Sequence, residues 1–418
     1  MRTTNLQTRS FRSGAAIALA VLVVIASASC GAQTPEDLHK LFQSGKVFAL
    51  RDAVQGGDAP TFYRGAVEAS LNHIEEAAST LHEVIRAAPD SEDAYQAHDL
   101  LANVYQRNGL YREALQELDA AIQERPKSEE LQNARPLFAA CSRQGDMTVV
   151  SRRATTLHRM KDGELPFRIH GRSDGFSFDT GAAISIMSER EAQYLGLTPQ
   201  SVNTRINDSS GNGVGGIRVA IAADMVIGGL HLRNVPFLVV SDNDEPFVEY
   251  SSKQGHRGLI GLPILLAMQS VRWSRHEFEF DFRPQKTTES SNLLFHETNP
   301  VVQVMVDDRN LDFTLDTGAI GTDLNPLFAK EFPALISSGK KETNKITGVG
   351  GTREYDSVLL SSVSLSVGGR IVTLAPAHVS IAQGLGGNSM WAGNLGNAEL
   401  NQAHSIAIDF RDMSLKLE

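Results

Sequence analysis

From residue 35 to about residue 160, apolar side chains recur three and four positions apart, the period of an amphipathic helix. Near Asp162-Gly163 the period drops to two, and strands are predicted from there to residue 418. The pattern therefore divides the chain into an all-α part and an all-β part. Within the helical part, Ala77, Leu81, Val84 and Pro89 return as Ala114, Leu118, Ala121 and Pro126, each 37 positions later. A fixed offset of this size is the mark of stacked helix pairs. Small Ala102 and Ala114 let paired helices approach closely, and Pro126 stops the second helix of its pair. Residues 35–55 and 131–153 are expected to be helices flanking this short array.

In the strand region Phe167 and Ile169, then Phe176 and Phe178, alternate around Gly171-Arg172-Ser173-Asp174-Gly175, which predicts a hairpin. After a polar linker at 284–292, Val302, Val304 and Val306 alternate with polar positions up to Asp307-Asp308-Arg309-Asn310. Leu311, Phe313 and Leu315 follow as a second hairpin's return strand. Both hairpins run into the same four residues, Asp179-Thr180-Gly181-Ala182 and Asp316-Thr317-Gly318-Ala319, 137 positions apart. The copies stay in step beyond that point. Nine residues after each Asp, Ser188 opens a capping box with Glu191, and Asn325 precedes Pro326 at a first helical position.

Gly-rich tips come next. Gly211 to Gly216 in the first copy, including Gly213, Gly215 and Gly216, and Gly348, Gly350 and Gly351 in the second read as β-hairpins able to fold over an extended chain. Leu259-Ile260-Gly261 ends 82 residues beyond Asp179, and Asn394-Leu395-Gly396 ends 80 beyond Asp316. One Asp-Thr-Gly marks no more than a turn. Two, each with a closing apolar-Gly pair at matching distance, predict a duplicated half that supplies one carboxylate per copy.

The 418 residues exceed what one core usually holds, so more than one domain is expected. A net charge of −10 spread without a basic patch argues against nucleic acid as partner. Residues 211–216 also fit Gly-x-Gly-x-x-Gly, but no helical period follows, which argues against a dinucleotide loop. No His-Glu-x-x-His, Gly-x-Ser-x-Gly or zinc-spaced cysteine pair occurs. His276-Glu277 and His296-Glu297 read as surface or strand positions, and Trp273 and Trp391 as packing residues.

At the N-terminus Arg2, Arg9 and Arg12 precede an apolar run of 16 residues that ends in small ones, a signal-peptide pattern over residues 1–30. Ser27-Ala28-Ser29-Cys30 resembles a bacterial lipobox with Ser in the place usually held by Leu, which would put lipid on Cys30. Ordinary cleavage nearby is the alternative. Both of these imply export from a bacterial cytoplasm, to the periplasm or as a membrane-anchored lipoprotein; the third reading is an uncleaved N-terminal anchor. With Cys30 removed or lipidated, Cys141 has no disulfide partner, and it reads as a packed residue.

The residues from Ala102 to Pro126 resemble the tetratricopeptide repeat, so the region 35–160 is expected to be a protein-binding or positioning module, or a helical spacer. The duplicated set from 163 to 418 resembles the retropepsin-like aspartic proteases. That resemblance implies a bilobal acid-protease fold, with lobes at 161–284 and 293–418, whose site forms within one chain. Asp179 and Asp316 would activate a water between them, and Thr180 and Thr317 would bond across the two loops. Gly181 and Gly318 would allow the tight turn, with Ala182 and Ala319 against the pair. Ile260-Gly261 and Leu395-Gly396 would close behind each loop, Asn394 replacing an apolar residue. The implied substrate is a protein or peptide, with no metal or organic cofactor. The alternative is an inert bilobal module that binds peptides without cutting them.

Overall fold

The computed structural model describes residues 34–160, 163–207, 213–242, 258–283, 291–348, 351–382 and 390–418. The signal-peptide reading, Cys30, Gly211, Gly350 and most of the 284–292 linker lie outside these residues.

Helices α1 (Pro35–Gln43), α2 (Val47–Gln55), α3 (Thr61–Ser70), α4 (Ile74–Ala87), α5 (Glu92–Arg107), α6 (Tyr111–Glu124) and α7 (Glu129–Cys141) open the described chain. Their starts follow local chemistry. Thr34 and Asp37 form a reciprocal capping box before α1, while Ser91 and Ser128 accept the N3 amides of α5 and α7. The 37-residue offset is kept in space, since α4 and α6 begin and end 37 positions apart. Asn72 and Asn108, after α3 and α5, exchange side-chain amide bonds of 3.1 and 2.8 Å. Ala77, Leu81, Ala102, Ala114 and Cys141 are buried between the helices.

The helical pattern stops earlier than the sequence predicts. After α7 a single 3-10 turn at Ser142–Gln144 leads to Gly145, whose φ of 98° breaks the helix. Strands Thr148–Ser151 and Thr155–His158 follow, so the expected helices to 153 and 160 are corrected to strand. All four residues of the first strand are exposed, and with no face buried they carry no two-residue alternation.

The two hairpins form, with tighter turns than predicted. His170-Gly171 and Asp307-Asp308 take positive φ at both positions (48° and 79°, 45° and 63°), as two-residue hairpin loops require. Arg172 to Gly175 and Arg309-Asn310, expected in the turns, are strand residues paired with Ile169 to Pro166 and with Val306-Met305.

Around each hairpin a ten-stranded sheet is laid out in the same order. Arg172–Phe178 lies between its antiparallel partner Leu165–Ile169 and the parallel strand Gly258–Ile260; Ser185–Ser188, Val235–Val240 and Arg218–Ala222 continue outward. Arg309–Leu315 lies between Asn299–Val306 and the parallel Gly393–Leu395; Asp323–Leu324, Ala377–Ser380 and Gly351–Leu360 continue. Both sheets curl as half-barrels.

A five-stranded sheet joins them, ordered Thr155–His158, Glu277–Phe280, Ser270–Trp273, Ile406–Asp409, Ser414–Leu417. Its central pairing sets Val271 opposite Ile408. Phe178, Trp273, Phe278, Phe313 and Ile408 share one continuous buried core, so the halves are fused at their base.

The helices grip both sheets. On the second, Val47 and Phe48 of α2 pack with Leu294, Val301 and Trp391. Arg107 of α5 is fully enclosed, donating to Glu297 O at 2.6 Å, Asn72 Oδ1 at 2.8 Å and Ala69 O, with its guanidinium over the Phe295 ring. On the first sheet, Val219 and Leu238, with Val202, Val214 and Ile217 beside them, join the apolar cluster of α5 to α7.

Candidate active site

The strand Arg172–Phe178 ends on Asp179, and Arg309–Leu315 ends on Asp316. Each Asp loop is held from behind by its closing strand. Asp179 N donates to Ile260 O at 2.9 Å, and Asp316 N to Leu395 O at 3.0 Å. Gly261 N then donates to Ser185 Oγ and Gly396 N to Thr322 Oγ1, both at 3.0 Å. Leu262 N and Asn397 N reach Ala182 O and Ala319 O, both at 2.9 Å. Ser185 and Thr322 each stand six residues after their Asp, a repeat in the sequence that the Asp-Thr-Gly-Ala motif alone does not mark. Asn397 adds a bond from its Nδ2 to Thr317 O.

The two loops meet through their threonines. Thr180 N donates to Thr317 Oγ1 at 3.0 Å and Thr317 N to Thr180 Oγ1 at 3.1 Å. Each hydroxyl passes its own proton on, Thr180 to Leu315 O at 2.7 Å and Thr317 to Phe178 O at 3.2 Å. Both threonines are buried, so all four bonds are shielded from water.

This exchange brings the acids together. Gly318 N lies 3.2 Å from Asp179 Oδ1 and 2.9 Å from Asp316 Oδ1, so one backbone amide reaches both carboxyls. Gly181 N donates to Asp179 Oδ1 at 2.7 Å, and Ala319 N to Asp316 Oδ1 at 2.9 Å. Asp179 is raised well above the usual carboxylate range, first by desolvation and then by the charge of Asp316, against the pull of the two glycine N–H groups. Neither Gly181 nor Gly318 has a positive φ. Their lack of a side chain matters for space instead: a Cβ on Gly181 would sit 2.9 Å from the Asp316 carboxyl, and one on Gly318 would collide with Asp179.

Nine residues on, Ser188 Oγ accepts Glu191 N at 3.2 Å and starts the helix Glu189–Tyr194. Pro326–Glu331 is its counterpart, with Asn325 at the N-cap position but without a side-chain cap.

The glycine-rich hairpins differ. In the first copy Gly213-Val214 is the return strand, paired with Asn207-Ile206, so Gly215 and Gly216 follow the arm and are not its apex. The second is longer: Lys340–Gly348 pairs with Gly351–Leu360 along its whole length, and Gly348 opposite Gly351 closes its described part. Helix α7 takes hold of the first one at its base. Asn133 Nδ2 donates to Arg205 O at 2.7 Å, Arg205 N to Asn133 Oδ1 at 2.9 Å, and Thr204 Oγ1 to Asn133 O at 2.7 Å. Nothing in the sequence pattern marks Asn133.

Among the described residues no group of three His, Cys, Asp or Glu side chains is placed to hold a metal ion. Trp273 and Trp391 are buried, and His276 and Glu277 are exposed.

Residues 165–264 match the family model described as aspartyl protease. The search of curated proteins finds no match. Among solved structures, a retropepsin-like aspartic protease from Rickettsia conorii is 19% identical over 32% of this chain and 94% of its own, with a TM-score of 0.23. The EIAV protease, complexed with an inhibitor, is 26% identical over 25% of this chain and 86% of its own, with a TM-score of 0.18.

Proposed function

We propose that the chain is an aspartic endopeptidase in which Asp179 and Asp316, one from each half, hydrolyse a peptide bond with a water held between them. The observation that carries this reading is the single Gly318 N–H that reaches both carboxylates. Two carboxyls that close cannot both ionise, so they share a proton and offer a base and an acid at once. The ionised member takes a proton from the water as its oxygen adds to the carbonyl carbon. The protonated member gives its proton to the carbonyl oxygen. The pair titrates as a unit. The family match over residues 165–264 supports the reaction class.

An extended substrate would lie across the cleft under the two hairpins, bonded through its backbone. The helices, in this reading, form a tetratricopeptide-like module that positions the first hairpin or recruits a partner protein. Export, with or without lipid on Cys30, completes the proposal, and mass spectrometry of the mature N-terminus tests it.

For the reaction, the purified chain is incubated with denatured protein between pH 3 and 7, beside Asp179→Asn and Asp316→Asn. Cleavage that either variant reduces by about 10³-fold or more supports the reading. Cleavage that survives in either variant, or binding of peptide without cleavage in the unaltered protein, sinks it.

A further inference from the structure

The two halves match closely around the acids, and one of their differences falls on a closing strand. In the first closing strand Leu259 stands opposite Ser177; in the second its place is taken by Asn394, opposite Thr314. Asn394 Nδ2 donates to Asp316 Oδ2 at 2.9 Å. Its own oxygen accepts the Thr314 hydroxyl at 2.6 Å, which turns the NH₂ group toward Asp316. Asp316 thus accepts three hydrogen bonds, from Gly318 N and Ala319 N on one oxygen and from Asn394 on the other. Asp179 accepts two, both on Oδ1, and no amide or hydroxyl side chain among the described residues donates to it.

We propose that Asn394 is a positioning residue that holds Asp316 as the ionised member of the pair and leaves the shared proton on Asp179. Donors to a carboxylate favour its charged form, and the side with more of them keeps the charge.

The other ionisable groups around Asp316 do not reverse the balance. Asp323, paired with Asn394 across the sheet, is held toward its neutral form, mainly by desolvation, with Tyr355 Oη 3.5 Å away. His378 pairs with Glu342 at 2.7 Å, and Glu399 accepts Thr322 N at 2.8 Å.

Resting on the proposed peptidase reading, the assignment gives each acid a task. Asp316 takes the proton from water as the new C–O bond forms, and Asp179 gives its proton to the carbonyl oxygen. In the collapse of the resulting diol, Asp316 passes its proton to the amide nitrogen, the C–N bond breaks, and one diol hydroxyl returns a proton to Asp179. Atoms and charges balance without a further reactant.

The test is carbon NMR of the full chain, selectively labelled at the Asp carboxyls, from pH 3 to 9. Asp179→Asn and Asp316→Asn spectra assign the two signals. At pH 5 the Asp316 signal is expected at its ionised position and the Asp179 signal at its protonated one. In Asn394→Leu, which supplies the residue found in the first half, the Asp316 midpoint should rise by about one unit, a tenfold change in proton affinity. The acid limb of kcat/KM should move to higher pH by the same amount. Thr314→Val, which frees the amide to rotate, should shift both in the same direction by less, and stands in if Asn394→Leu fails to fold. A protonated Asp316 at pH 5 in the unaltered protein, or midpoints unchanged in both variants, overturns the assignment. The titration is read whether or not the protein cleaves peptides, so loss of the peptidase reading and loss of this one are separate results.

Discussion

Thr180 and Thr317 stand 137 residues apart and hold each other symmetrically, each hydroxyl accepting the other's backbone amide while donating to the strand that precedes the other's Asp. A hydroxyl is the one small group that can do both, accepting and donating at once. Replacing either by Ala leaves a buried N–H and a buried carbonyl without partners, at a cost of about 1–3 kcal/mol per orphaned group. Thr→Ser at either position keeps the hydroxyl and should stay within about 1 kcal/mol of the unaltered protein. Urea denaturation and peptide cleavage should therefore separate Ala from Ser, with cleavage lost in the Ala variants before the fold is.

Asn133 connects α7 to the base of the first glycine-rich hairpin through two side-chain bonds. Asn133→Ala is expected to cost about 1–2 kcal/mol in stability. If that hairpin covers the substrate, KM should rise by up to about tenfold with kcat nearly unchanged, the mark of lost binding common to ground and transition state. Steady-state kinetics on a single peptide decide between this and a general loss of fold, which would lower the active fraction and leave KM alone.

Arg107 is a fully buried cation whose described hydrogen bonds all end on neutral oxygens, at Glu297, Ala69 and Asn72. Burial pulls its proton affinity down, to a pKa of about 9. Arg107→Met keeps the bulk but orphans three acceptors, and a loss of about 3 kcal/mol or more is expected in urea unfolding. Arg107→Lys cannot span all three oxygens and should recover only part of it.

Glu191, enclosed near Asp174 and Glu164, is pushed up to about 8, first by desolvation and then by those two charges. The folded chain thus holds a proton that the unfolded chain releases above about pH 4.5. Its contribution to stability is complete below that pH and is lost as the pH climbs toward 8. Melting temperatures measured across this window should fall with pH, and Glu191→Gln should flatten the decline. An equal slope in the variant would contradict the assignment.

The paired Asp loops and their closing strands were legible because each depends on residues adjacent in sequence and occurs twice. The first helical copy was legible for the same reason, through its 37-residue echo in α4 and α6. Other features had no local signature. The positive φ of His170 and of Asp307-Asp308 is imposed by hairpin twist on residues that do not advertise it. The first strand after α7 shows no alternation because all four of its residues are exposed. Asn394 looked like a flaw in an apolar motif, and only its distance to Asp316 reveals a donor. Asn133 and Arg107 act across long sequence separations, which no periodicity encodes.

The five-stranded sheet beneath the acids sets an order on assembly. Ser270–Trp273 has its inner neighbour in Ile406–Asp409, which in turn needs Ser414–Leu417 beside it. A chain synthesised from its N-terminus would expose that unpaired edge while well over a hundred further residues emerge. On the proposed peptidase reading, hydrolytic power then arrives only with the final strands, and a nascent or truncated polypeptide is harmless to its maker.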